Sequence, residues 1–198
     1  TSDRYTKEDC LAVLRLMDDI RDSWDMIREL VDYSAPLGVK IWVWKAYPDD
    51  RGVDGIQTPE RLQAFLKKCR ETGVAGVKID YFYDESQQVV RFYEDALKEA
   101  AKYQLMVDFH GADKPTGLNR TFPNELTREG IRGLEIRGPW ATHNTILPFT
   151  RYLAGPADFT PVTFSPKRLS ETSWCHQVAT AVIFTSPFLC YGVDPEQL

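Results

Sequence analysis

Two carboxylates in this 198-residue chain, Asp80 and Glu135, each close a short apolar run. Residues 73–80 read Gly-Val-Ala-Gly-Val-Lys-Ile-Asp, and residues 130–135 read Gly-Ile-Arg-Gly-Leu-Glu. Both runs are expected to be ends of buried strands. Where parallel strands form a barrel, side chains at the C-terminal strand ends converge on one mouth. Two acids facing each other there suit cleavage of a glycosidic bond, one protonating the departing oxygen and one meeting the developing cationic carbon. Lys78 lies two residues before Asp80 and so shares its face of a strand. It is a candidate for binding sugar hydroxyls or for an ion pair, and a Schiff-base role is also open to a lysine. His110, at the end of the run 105–110, is either a donor to a sugar hydroxyl or a buried structural histidine. Trp44, with Trp42 on the same face, is a candidate sugar-stacking wall or core, and Trp140 a platform or a cover for the barrel end. Glu125 and Glu129 share a face if their segment is helical, and oxygen-only ligands suit calcium. His143 and His176 lack partners at metal-ligand spacing and are expected to be structural.

The elements that must position these residues alternate. Apolar residues at helical spacing predict a helix over 7–34, ended at Pro36-Leu37-Gly38, and Val39 to Trp44 predicts a strand. Thr58 as N-cap with Pro59 behind it opens a helix that Gly73 ends. The strand to Asp80, a helix over 86–103 and a strand over 105–110 follow. Residues 111–130, rich in Gly, Pro, Asn and Thr, are expected to be a long loop over the strand ends. Beyond the strand ending at Glu135 come an apolar stretch over 147–153, a short strand near Asp158, a helix over 173–184 and a strand over 187–191. Strand and helix alternating in this way mark βαβ units on a parallel sheet, hence an α/β fold in a single domain over 1–198. About six strands are countable, fewer than a full (β/α)8 barrel of about 250 residues needs, so an incomplete barrel is expected.

Composition narrows the function. Hydrophobic residues at 43% and aromatics at 12% suit a globular protein with a real core. A net charge of −5 argues against nucleic acid as a partner. No apolar run reaches the roughly 18 residues of a membrane span. The four cysteines, Cys10, Cys69, Cys175 and Cys190, show no Cys-x-x-Cys pair and are expected to be mostly buried thiols.

Several ordered motifs carry a resemblance. They are Gly76-Val77-Lys78-Ile79-Asp80-Tyr81-Phe82, the run from His110 to Gly117, the run from Arg120 to Gly130, Arg132-Gly133-Leu134-Glu135, Ala157-Asp158-Phe159-Thr160-Pro161 and Thr185-Ser186-Pro187. In these, over roughly residues 38–198, the chain closely resembles glycoside hydrolase family 97. The resemblance implies an exo-acting α-glycosidase on a (β/α)8 barrel, flanked by β domains of a longer parent protein. It further implies an α-glycoside or oligosaccharide substrate, calcium as cofactor with Glu129 as a ligand, and periplasmic or secreted residence. The inverting branch of the family carries a glutamate directly after the histidine, where this chain has Gly111. The retaining branch uses an aspartate at the position of Asp80 as nucleophile, and Glu135 matches the general acid/base of both. Retention, in an α-galactosidase-like enzyme, is therefore the expectation; an inverting α-glucosidase and an inactive barrel fragment are the alternatives.

Overall fold

The computed structural model describes residues 24–49, 54–136, 138, 140–159, 163 and 169–192. Helix α1 (Trp24–Ser34) buries Leu30 and Ser34, and a short 3-10 turn, Ala35–Leu37, runs on to Gly38 at φ 68°. The expected helix over 7–34 is thus present from Trp24, and its earlier part lies outside the described residues. Strand β1 (Trp42–Ala46) starts three residues later than expected and reaches two further.

Helix α2 (Pro59–Thr72) has the predicted ends. The Thr58 side chain accepts from the Arg61 N–H, Pro59 opens the first turn, and Gly73 at φ 91° returns its N–H to the last carbonyls. Strand β2 (Gly76–Asp80), helix α3 (Gln87–Lys102, capped by Ser86) and strand β3 (Met106–Phe109) follow the predicted order. Strand β4, however, is Glu125–Arg128, inside the segment expected to be a long loop. The four strands lie side by side in sequence order, all parallel.

Residues 130–135 are not a strand, and Glu135 does not close one. Gly130 takes φ 43°, and a Cβ there would sit 2.5 Å from the Lys114 backbone. This left-handed turn ends the extended chain just after β4. Glu125 and Glu129 therefore do not share a helical face: Glu125 is buried in β4 and paired with Arg128, while Glu129 follows the strand end.

Alternation along the strands separates two environments. Val77, Ile79, Val107 and Phe109 are fully buried with Leu62 and Leu66 of α2 and Phe92, Tyr93, Ala96 and Leu97 of α3. Burying the helix-side strand residues costs nothing in polar groups, which is why the runs read so clearly as strands. Lys78, Asp80 and Asp108 point to the opposite face. A second apolar cluster holds Leu134, Trp140, Leu147, Ala157, Phe159 and Phe184. It involves helix α4 (Trp140–Ile146), two 3-10 turns over Leu147–Ala154 and the end of helix α5 (Trp174–Ile183). Trp140 is therefore core, not a platform. The expected strands near Asp158 and over 187–191 are not formed; Asp158 makes one backbone hydrogen bond to β4, and Tyr191 a lone bridge. Among the described residues no helix is long and apolar enough to cross a membrane.

Candidate active site

The polar side chains gather at the C-terminal ends of β2, β3 and β4. Asp80, the last residue of β2, is only 7% exposed. Its Oδ1 accepts from the Tyr81 N–H at 2.6 Å and its Oδ2 from Trp44 Nε1 at 2.9 Å. Tyr81 adopts φ 69°, a left-handed conformation that a bulky residue pays for and that is concentrated at functional sites. Gly111, at φ 59°, passes so close that a Cβ would meet Asp80 Oδ1 at 3.1 Å and the Tyr81 nitrogen at 3.2 Å. The Gly111 N–H in turn donates to Glu129 Oε2 at 2.7 Å.

Trp44 stands beside Asp80, 42% exposed, with its ring edge against Tyr81. Trp42, one pleat earlier, lies beneath Gly76 and stacks on Phe188 with centroids 4.6 Å apart. Of the two tryptophans Trp44 alone borders the carboxylate.

His110 follows β3 and is the hub of the cluster. Its Nδ1 lies 2.6 Å from Asp158 Oδ2, and its Nε2 lies 3.4 Å from both Glu129 Oε1 and Glu135 Oε1. Glu135 sits in a turn with its side chain 67% exposed. Burial opposes a charge on His110, but the hydrogen bond to Asp158 and the charge of Glu129 prevail, raising its pKa to about 9. Burial pushes the Glu129 carboxyl up, with His110 opposing.

Lys78 hydrogen-bonds to Asp158 and lies 3.6 Å from Asp108 Oδ2. Burial again disfavours its charge, but the two carboxylates hold its pKa above the ordinary value. An amine kept as ammonium is a poor nucleophile, so nothing in its surroundings favours the Schiff-base reading. Asp158 is held well below the usual carboxylate range: its burial is outweighed by hydrogen bonds and charge from His110 and Lys78. Asp108, fully buried next to Asp158, is driven the other way, to about 8. Cys190 donates to Asp158 Oδ1 at 3.2 Å, and burial near that carboxylate pushes its thiol up to about 12.

Two arginines brace the site. Arg128 ends β4 buried between the Tyr93 and Phe109 rings, paired with Glu125 and Asp113. Arg151 donates to five backbone carbonyls, those of Arg128, Glu129, Gly130, Gly155 and Pro156. It ties the turn after β4 to the segment that carries Asp158.

The structure brings six of the residues singled out from the sequence to this one region. Asp80 and Trp44 meet on one side, His110, Glu129 and Glu135 on the other, and Lys78 reaches the group through Asp158. Sequence reasoning gave no role to Asp108, Asp158, Arg128, Arg151 or Cys190. Asp158 and Arg128 stand within the family motifs, and Asp108 is a charge within an apolar strand run. His143 and His176 bond to the Arg132 carbonyl and the Asn144 side chain, as structural residues do. Cys69 is a buried thiol and Cys190 partly buried, but Cys175 is exposed, and Cys10 lies outside the described residues.

The donor set does not by itself make a calcium site. Calcium takes 6–8 oxygens, Glu129 already spends one oxygen on the Gly111 N–H, and among the described residues no group of three or more His, Cys, Asp or Glu is placed to hold a metal.

Comparison with known proteins identifies the family to which the chain belongs. A probable retaining α-galactosidase of Streptomyces bingchenggensis is 39% identical over 176 residues, covering 88% of this chain and 26% of the relative. The retaining α-galactosidase of Bacteroides thetaiotaomicron is 34% identical over 198 residues, covering 86% and 28% respectively. A family 97 enzyme from Pseudoalteromonas sp. strain K8 superposes with a TM-score of 0.72 at 28% identity, covering 86% of this chain and 30% of that one. The chain thus spans about a quarter of the length of the curated relatives it matches. The family model Glycoside hydrolase 97 matches residues 12–131, more than half of the sequence, and the chain belongs to glycoside hydrolase family 97.

Proposed function

We propose that this chain is part of a (β/α)8 catalytic barrel of a retaining, exo-acting α-galactosidase-like enzyme, with Asp80 as nucleophile and Glu135 as general acid/base. The observation that carries this reading is the setting of Asp80, a nearly buried carboxylate at a strand end, aimed by the Trp44 indole and the Tyr81 amide, with the Gly111 backbone passing close to its Oδ1. The names of two curated relatives support the choice of retention and of galactosides.

In the first step an Asp80 oxygen bonds to the anomeric carbon as the glycosidic C–O bond breaks, and the Glu135 proton passes to the departing oxygen. In the second step Glu135 takes a proton from water, whose oxygen bonds to the anomeric carbon and releases Asp80. Two inversions at one carbon give net retention. The donors on Asp80 hold its carboxylate in one orientation before the sugar arrives, which lowers the entropic cost of attack. Glu135, mostly exposed, has room to reach a leaving group. Trp44 offers an apolar face next to the nucleophile, and His110 and Lys78 offer hydrogen-bond donors to sugar hydroxyls. By the family resemblance Glu129 would be this segment's ligand to calcium; the donors that would complete the shell are not among its described carboxylates, and no step depends on the ion.

Gly111 weighs against inversion, because no side chain there supplies a base for water. The test is hydrolysis of p-nitrophenyl α-galactoside and α-glucoside by this chain and by Asp80→Asn, with and without calcium. The anomer first formed is read by proton NMR. Release from the α-galactoside with the α-anomer first, and none from the variant, is expected. A β-anomer as first product removes the retaining mechanism, and a folded parent without activity removes the reading for this chain alone.

A further inference from the structure

We propose that Asp158 is a positioning residue of this site: it makes no bond to substrate but fixes the imidazole of His110, and through it the place of Glu135. The proposal rests on the reading of Glu135 as acid/base given above. Asp158 is 1% exposed, so a sugar cannot reach it. Donors from three parts of the chain meet on its carboxylate. Oδ2 takes Lys78 Nζ from β2 and His110 Nδ1 from the end of β3, and Oδ1 takes the Cys190 thiol.

The carboxylate is itself immobilised. The Asp158 N–H donates to the Arg128 carbonyl at 3.2 Å. Arg151 grips the Gly155 and Pro156 carbonyls just before it, and with the same guanidinium the Glu129 carbonyl. One arginine therefore sets the spacing between the segment that holds Asp158 and the turn that leads to Glu135.

An imidazole has two distinct nitrogens, and what one of them binds decides where the other points. With Nδ1 committed to Asp158, Nε2 faces the mouth and meets Glu129 and Glu135 at equal distance, 3.4 Å. Glu129 is also held by the Gly111 amide. Glu135 is the more exposed of the two, and a fixed N–H beside it holds its carboxylate near the bond to be cleaved. Without a carboxylate at position 158 the ring is free to turn over, presenting a carbon edge to Glu135.

The test uses the whole chain labelled with 15N-histidine. Its three histidines give few signals, and His110 is assigned from their loss in His110→Gln. The parent is expected to show a slowly exchanging His110 Nδ1 proton that disappears in Asp158→Asn, while the signals of His143 and His176 stay and report an intact fold. Unchanged His110 signals in the folded variant overturn the proposal. If Asp158→Asn fails to fold, Cys190→Ala takes one donor from the same carboxylate; a shifted His110 Nδ1 resonance supports the proposal and an unmoved one overturns it.

Activity separates positioning from mere support. General-acid help is worth about 10²–10⁴-fold, and only a poor leaving group needs it in full. Asp158→Asn is expected to slow an alkyl α-galactoside on the order of 10²-fold and the nitrophenyl galactoside less than about tenfold. Equal losses on both substrates overturn the proposal. A parent that cleaves neither contradicts the glycosidase reading instead, and the histidine spectrum then decides the role of Asp158.

Discussion

Trp44 Nε1 donates to Asp80 Oδ2 across 2.9 Å, so a residue of β1 holds the carboxylate at the end of β2. The pairing register makes this possible: Trp44 lies opposite Lys78 and Ala46 opposite Asp80, placing the indole one pleat below the acid on the same face. A hydrogen bond to a charged group is worth about 1.5–3 kcal/mol, less where the donor is partly exposed. Trp44→Phe keeps the ring and removes the N–H. It is expected to lower kcat on p-nitrophenyl α-galactoside about tenfold, with KM nearly unchanged. An unchanged kcat means that the Tyr81 amide alone orients Asp80.

Gly111 is required twice, by its φ of 59° and by the closeness of Asp80 Oδ1. Gly111→Ala forces a Cβ into the left-handed region and against the carboxylate. The expected cost is about 1–2 kcal/mol of stability, read as a lower urea midpoint, together with loss of activity. A variant as stable and active as the parent contradicts the crowding.

Arg151 replaces several missing backbone partners at once, since the turn after β4 and the segment 155–156 have no strand ladder to satisfy their carbonyls. A lysine has the charge but not the planar fork. Arg151→Lys is expected to cost about 2–4 kcal/mol, because buried carbonyls lose their donors. Urea denaturation checks this, and a loss below about 1 kcal/mol would mark the contacts as a minor surface tie.

The buried charges give stability a defined pH dependence. The pKa of His110 rises from 6.5 to about 9 in the fold, against burial and chiefly through Asp158. Its contribution is therefore complete below 6.5 and lost as pH climbs through 9. Asp108, raised by burial from 3.8 to about 8, acts in the same direction at lower pH. Asp158, held low by His110 and Lys78, contributes above 3.8 and loses that contribution only in stronger acid. Urea midpoints are expected to fall between pH 6 and pH 9, with a shallower fall in Asp108→Asn. A flat profile over that range contradicts the assignment of charges.

What the sequence disclosed follows from physical locality. Thr58, Pro59 and Gly73 mark the ends of α2 because caps depend on residues within one turn. The runs before Asp80 and before His110 read as strands because their helix-facing residues are Val, Ile and Phe buried against α2 and α3. Strand β4 is not legible as an apolar run because it is Glu-Leu-Thr-Arg, with Glu125 and Arg128 paired inside the core. The run up to Glu135 misled for the opposite reason: Ile131 and Leu134 pack on the second apolar cluster from a turn, not from a strand. Asp80, His110 and Glu135 were recognisable through the family motifs. Asp158 also stands in one of those motifs, but its contacts do not follow from it, because its partners Lys78 and His110 are 80 and 48 residues away.

On the proposed mechanism Asp80 carries the sugar between the two steps. The most direct measurement incubates this chain with an activated 2-fluoro α-galactoside, whose fluorine slows release of the intermediate, and follows intact mass and then peptide mass. One fluorogalactosyl unit is expected on the peptide containing Asp80, and none in Asp80→Asn. A label on another residue, or none while the parent turns over nitrophenyl α-galactoside to the β-anomer, would contradict it.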